Sequence, residues 1–301
     1  MNVRSALAVL ASGCLWGCMG LFVRRFDSYD LPSMSIVAIR SFFTALILFA
    51  ALLIFDRSLL RIRIKDLWIF AGCGIASLVF FNFCYFKAIT LMSMSMAAIL
   101  LYTSPVFVTL FSALIFKERI TLRKTFAILL SLCGLVFVTG VFSDTGSVSA
   151  AGILIGLGSA VGYALYSIFS RFAIERGYSA WTITFYPFVF ASAVSMVISD
   201  LKPAAEMFTE DPPMIGFSVL FALAVSVLPY ALYSWGLKGM ENSRAAVIAS
   251  VEPVTATILG IAVYGEDLSV SLTVGIVLVL AGIILSIEKN PCRTSDVPSE
   301  D

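Results

Sequence analysis

The sequence has no histidine. That absence removes Ser/His and Cys/His nucleophilic catalysis, most zinc sites and any imidazole proton relay together. Charge is scarce as well: Asp, Glu, Lys and Arg make up 13% of the 301 residues, and they nearly cancel, to a net charge of +1. With so small an excess, and no basic patch interleaved with aromatics, neither nucleic acid nor an acidic polymer is an expected partner. Six cysteines (Cys14, Cys18, Cys73, Cys84, Cys133, Cys292) form no CxxC pair and no metal spacing. They read as reduced packing residues, and no metal or other cofactor is expected. GxxxxGK[ST] is also missing, which excludes a P-loop and ATP as the direct energy source.

What remains is apolar. Hydrophobic residues are 60% of the chain and mean hydropathy is +0.99, far above any soluble globular domain. A helix needs about 20 apolar residues to cross the hydrocarbon core. Ten runs approach that length: Ser5 to Val23, Ser33 to Phe55, Leu67 to Ile89, Met94 to Phe116, Thr125 to Phe142, Ala150 to Phe172, Ala180 to Ile198, Met214 to Leu237, Ala245 to Tyr264 and Val270 to Ile287. The first is too long for a signal h-region and lacks a small-residue cleavage site, so it reads as a spanning helix. Asp200 to Pro213, with three prolines, reads as an irregular surface loop, and residues 289–301 as a disordered tail.

Two stretches repeat one pattern at an offset of 148. Ala97-Ala98 through Ser104-Pro105-Val106 and Thr109 to Glu118 matches Ala245-Ala246 through Glu252-Pro253-Val254 and Thr257 to Glu266. Tyr85 and Ser95 extend the match to Tyr233 and Ser243, and Thr125 and Gly134 to Thr273 and Gly282. The chain therefore reads as a duplication, 1–146 and 147–288, of one five-helix unit. An odd number of spans per unit inverts the second relative to the first. Fifteen Lys and Arg residues fall on the side of the N-terminus, against Arg24, Arg25, Lys87 and Lys202 on the other, with Arg40 inside a span. The positive-inside rule then makes both termini cytoplasmic.

At these residues the sequence resembles the drug/metabolite transporter superfamily, in its EamA branch of ten-helix transporters. The resemblance rests on Tyr85-Phe86-Lys87-Ala88-Ile89, on the Ser104-Pro105 to Glu118 stretch with Thr121, and on the Glu252-Pro253 to Glu266 stretch with Ser269; it covers about residues 3 to 288. It implies an all-α integral membrane fold of two inverted five-helix repeats. Helices 3, 4, 8 and 9, with 1 and 6, would line a central cavity, and helices 5 and 10 would lie at the periphery. Proteins that this looks like move amino acids, other small metabolites, nucleotide sugars or sugar phosphates.

Several residues carry the expected chemistry. Glu252 is a carboxylate well inside a span, where insertion costs about 2.5 to 3.5 kcal/mol, so it should face a cavity or a partner and is the proton-coupling candidate. Pro253 and Pro105 have no N–H to give the carbonyls of Ala249 and Leu101, which frees those oxygens beside a cavity. Ser104 holds the place equivalent to Glu252. Arg40 and Lys87 are the cationic candidates for an anionic substrate group, Arg40 also as a partner for Glu252 and Lys87 also as a snorkelling side chain. Trp16, Asn82, Tyr102, Tyr163 and Tyr230 are the expected cavity lining, whereas Tyr85, Tyr233 and Trp235 near helix ends read as interface anchors. Gly13, Gly17, Gly20, Gly156, Gly158 and Gly162 read as close-packing positions or hinges. Thr121 and Ser269 read as helix N-caps, with Glu118 and Glu266 interfacial and structural.

The expected function is a secondary-active transporter in the plasma (inner) membrane. It would move a small polar metabolite, foremost an amino acid or related zwitterion, by alternating access with proton or exchange coupling. The alternative within the fold is an exporter of drugs or lipophilic cations, which would use Glu252 and the aromatic rings without Lys87 or Arg40. A remoter one is an intramembrane enzyme acting on a lipid head group.

Overall fold

In the computed structural model of the chain, residues 2–139, 149–265 and 269–287 are described. Within them the chain is helical and contains no strand. Its helices are α1 (Val3–Gly17), α2 (Met19–Asp27), α3 (Ser33–Phe55), α4 (Leu67–Ala71), α5 (Phe80–Ile89), α6 (Met94–Leu101), α7 (Ser104–Phe116) and α8 (Leu122–Val138) in the first half. The second half has α9 (Ala150–Glu175), α10 (Ala180–Ile198), α11 (Lys202–Glu210), α12 (Pro213–Ala222), α13 (Leu228–Leu237), α14 (Asn242–Ala249), α15 (Val251–Tyr264) and α16 (Val270–Ile287). Nine stretches among the described residues are long and apolar enough to span a bilayer. The fifth run of the sequence, α8, has 17 described residues, and Gly140 to Phe142, part of that expected span, lie outside the description.

Several expected spans are broken, and at corresponding places. Between α4 and α5 the backbone opens into a π-helical segment, Gly72–Val79; between α12 and α13 it does so again at Leu223–Val227. Pro229 accounts for the second, because it cannot donate to Val225 and the helix must widen there. The first has Phe81 at the matching place and instead carries Gly72 and Gly74. A Cβ on Gly74 would fall 2.4 Å from the Pro187 carbonyl oxygen of α10, so glycine permits that backbone contact. The α6/α7 and α14/α15 breaks fall at Tyr102-Thr103 and at Ser250, just before the two prolines.

The halves interlock rather than fold apart. Helix α1 packs on α13, α5 on α9, α3 on α10 and α8 on α16. The last pair is glycine-mediated: a Cβ on Gly134 would sit 2.7 Å from the Gly275 oxygen, and one on Gly275 2.7 Å from that of Gly134. Bilayer-facing helices gain little from hydrophobic burial against one another, so small residues that let backbones approach carry the packing.

Asp200 to Pro213 is not the irregular loop expected. It holds α11, whose Ala204 and Met207 are buried one turn apart among Phe26, Leu31 and Phe221. Pro203 lies in the first turn and Pro212 beyond the end, both places where proline disrupts no helical hydrogen bond. On the same side the Tyr29 hydroxyl donates to Asp211 at 2.5 Å, and that carboxylate raises the phenol above its ordinary pKa. The N-caps Thr121 and Ser269 form as expected, accepting from the amides of Lys124 and Leu272. Glu266 and the 289–301 tail lie outside the described residues.

Candidate functional site

The α14/α15 break sets the site. Glu252 stands in the first turn of α15, where free backbone N–H groups and the positive helix end favour a negative charge. The Tyr163 hydroxyl of α9 donates to its Oε2 at 3.2 Å. Tyr102, at the α6/α7 break, brings a second phenol beside the same carboxylate. The two broken helices thus meet around one acid.

Aromatic rings continue the wall. Trp16 lies edge-on to Tyr230 with ring centroids 5.0 Å apart, and Tyr230 packs on Tyr166 at 4.9 Å and on Phe188 at 5.0 Å. Trp16, Tyr163, Tyr166 and Tyr230, with Ser77, Leu78, Phe81, Ser167 and Tyr233, line a central pocket of about 10 Å³, room for one water molecule. Two buried polar atoms in its wall, the Trp16 Nε1 and the Ser77 Oγ, have no hydrogen-bond partner. Such atoms cost free energy when left unpaired, so a ligand or water that bonds them is stabilised.

Arg40 of α3 is only 3% exposed, and its Nε has no hydrogen-bond partner. Its Nη1 points to the Met19 sulfur at 3.8 Å, a weak acceptor. The expected pairing with Glu252 is not made as an ion pair; the two charges and the Tyr230 hydroxyl act on one another only through space. A buried guanidinium held short of a carboxylate is electrostatically incomplete.

Other expected site residues lie elsewhere. Lys87 is exposed in the last turn of α5 and is not among the residues lining the pocket, a position that fits a snorkelling side chain. Asn82 is buried, but its Nδ2 donates to the Leu78 carbonyl of its own helix at 2.7 Å, so it serves the π segment rather than the pocket. Ser104 is buried beside Pro105 at the α6/α7 break, where no carboxylate stands. Tyr233 is 3% exposed and lines the pocket, not an interface; its hydroxyl bonds Ser167 at 2.8 Å. Tyr166 is a further wall residue that the expected lining omits. Both could have been found from helical spacing, since Tyr166 and Tyr233 follow Tyr163 and Tyr230 by three residues on the same faces.

The two exits from this centre differ. Toward Arg24, Gly13 and Gly17 of α1 press on the break itself: added Cβ atoms would meet the Ala249 oxygen at 3.0 Å and the Glu252 oxygen at 2.6 Å. One turn on, Gly20 has open space, and a crevice of about 240 Å³ opens between Gly20, Arg24, Thr257 and Tyr264. The Arg24 guanidinium lies 3.8 Å from the Tyr264 ring centroid across it. Toward the opposite end the halves are clasped. The Glu118 carboxylate, at the end of α7, accepts from the Asn242 amide at 2.9 Å and the Ser243 hydroxyl at 2.8 Å, capping α14 from the other repeat. Lys124 ties Glu241 to the same cluster at 3.2 Å, and the Arg171 Nε donates to the Asn242 Oδ1 at 2.9 Å.

This arrangement defines a polytopic helical membrane protein with a polar centre where two interrupted helices meet. The chain belongs to the EamA-like transporter family, whose pattern matches residues 3–140 and again 150–287. It is 30% identical to an uncharacterized transporter of Archaeoglobus fulgidus, over 93% of this chain and 94% of that one. It is 22% identical to the uncharacterized transporter YetK of Bacillus subtilis, over 96% and 86%. A solved crystal structure superposes with a TM-score of 0.77 at 21% identity, covering 95% of this chain and 97% of the other, a likeness of fold.

Proposed function

We propose that this transporter is secondary-active and moves a small polar metabolite, an amino acid or related zwitterion, across the plasma membrane by alternating access. The observation that carries the reading is that Glu252 and Arg40 form no ion pair: Arg40 is buried, Glu252 is half-buried and bonded to Tyr163, and the two opposite charges act on each other only through space. The ammonium of a zwitterion satisfies Glu252 and its carboxylate satisfies Arg40, while the rings take an apolar side chain. Lipophilic cations use the carboxylate and the rings but leave Arg40 buried without a counter-charge, which favours the zwitterion.

The matched π segments and proline breaks support two inverted five-helix repeats related by an axis in the membrane plane. The excess of Lys and Arg at the clasped end supports a cytoplasmic location for that end and for both termini. The pocket has room for only one water, so substrate entry requires the α1/α15 seam or the Glu118 clasp to part, and alternate parting of the two is transport. Protonation of Glu252 in the unloaded protein couples the cycle to protons.

The test is counterflow in proteoliposomes preloaded with unlabelled amino acids and challenged with a labelled panel at two pH values. Accumulation above protein-free vesicles that responds to a pH gradient in the parent and is largely lost in Glu252→Gln is the expected result. Silence across the panel contradicts the zwitterion reading, and an unchanged pH response in Glu252→Gln contradicts coupling at that residue.

A further inference from the structure

Outside the central site, the best-built polar cavity lies where the α3–α4 connector meets the α9–α10 turn. It has a volume of about 340 Å³ and is lined by Arg61, Arg63, Arg176, Ser58, Ser179 and Thr182, among others. One carboxylate holds two of those arginines. Asp66, 5% exposed, takes the Arg63 Nε at 2.7 Å, the Arg176 Nε at 2.9 Å and the Tyr178 hydroxyl at 2.7 Å. Its charge is spent on fixing those two arginines, which leaves the basket two positive charges in excess.

The frame is rigid. Thr182 donates its hydroxyl to the Leu59 carbonyl at 2.9 Å, Tyr186 donates to that of Leu60 at 2.6 Å, and Tyr178 accepts from the Arg63 amide at 3.0 Å. These bonds pin a connector that would otherwise be free, and they do so around a cationic hollow. Arg61, on its rim, forms no side-chain hydrogen bond or ion pair with a described residue. The neighbouring surface is apolar: Ile64 is 88% exposed, Trp68 48% and Leu67 41%. Arginine forks match phosphate oxygens, and basic pockets at the ends of spanning helices suit anionic headgroups.

We propose that this basket binds a phosphate group, either that of an anionic phospholipid, whose acyl chains would run along Ile64, Leu67 and Trp68, or that of a soluble organophosphate. Arg61 closes on the phosphate, while Arg63 and Arg176, oriented by Asp66, form its floor. The site is independent of the transported substrate.

The experiment is native mass spectrometry of the full-length protein after incubation with phosphatidylglycerol or with phosphatidylcholine of the same chains. A parallel arm measures melting in detergent with inorganic phosphate and glycerol phosphate. Retention of phosphatidylglycerol about 10-fold above phosphatidylcholine, falling about fivefold or more in Arg61→Gln and less in Arg61→Lys, is expected for a guanidinium–phosphate contact. Arg61→Gln removes no hydrogen bond or ion pair with a described residue, so its melting without ligand should match the parent, and Lys202→Gln, at the start of α11, should leave retention unchanged. Stabilisation by soluble phosphates without lipid selectivity, lost in Arg61→Gln, assigns the site to a soluble phosphate. Equal retention of both lipids with no phosphate effect, or binding untouched by Arg61→Gln, overturns the proposal.

Discussion

The two repeats share their backbone and differ at their centre. Both open into a π segment in the third span and both break before a proline in the fourth, yet the matching side chains diverge: Ser104 against Glu252, and Asn82 against Tyr230. In the first repeat the polar side chain bends back to its own helix, as Asn82 does to Leu78; in the second, Glu252 meets Tyr163 and Tyr230 faces the pocket. Duplication supplies paired openings for substrate and divergence supplies the carboxylate on one side only. At these matched positions, binding chemistry should therefore be sensitive in the second repeat and forgiving in the first.

The sharpest way to break this comparison is at the matched pair itself. Glu252→Gln should lower counterflow about 100-fold or more, while Ser104→Ala stays within about twofold, because only the former removes a charge, worth roughly 3 kcal/mol. Comparable losses at both would erase the asymmetry. Next comes Tyr163→Phe, which deletes the hydroxyl bonded to Glu252 and should weaken substrate affinity about 10-fold, as a hydrogen bond to a charged group predicts. Asn82→Leu, which loses only a bond within its helix, should cost about 1 kcal/mol of stability by reversible unfolding and leave affinity unchanged.

A third pair lies on the first span, Gly17 at the end of α1 and Gly20 in α2. Gly17→Val drives a side chain toward the Glu252 carbonyl and should destabilise by about 1 to 3 kcal/mol, whereas Gly20→Val faces the crevice and should change stability by less than about 0.5 kcal/mol. A smaller effect than that of Gly17→Val is expected at the clasp. Glu118→Gln keeps one acceptor for the cap of α14 but loses the charge, costing about 0.5 to 2 kcal/mol. In a cysteine-free background it should raise labelling of Ser167→Cys from the Lys- and Arg-rich side several-fold over the parent, and unchanged labelling would mean the clasp does not gate.

Much of the fold was legible because a bilayer imposes length and apolarity, and because two prolines at matched positions mark matched breaks. The caps at Thr121 and Ser269 were legible for the same local reason. The π segments were not: in the first repeat no proline announces one, and the close approach to α10 that Gly74 permits is encoded by no local pattern. Glu252 could be found from the cost of burying it, but Lys87 could not be told from a snorkelling lysine without its exposure. Tyr233 reads as an interface anchor by its distance from the helix end, but the face it shares with Tyr230 puts it in the pocket wall. The role of Glu118 in capping α14 spans 124 residues of sequence, beyond the reach of any local pattern.

The central claim is that an amino acid binds between Glu252 and the aromatic wall containing Trp16. With Trp68, Trp181 and Trp235 replaced by Phe, Trp16 is the remaining tryptophan, and its emission reports directly on the pocket. Titration with an amino acid that passes the counterflow panel should give a saturable spectral change that is abolished in Glu252→Gln. A transported substrate that leaves Trp16 silent, or that saturates equally in Glu252→Gln, would place binding elsewhere and contradict the account.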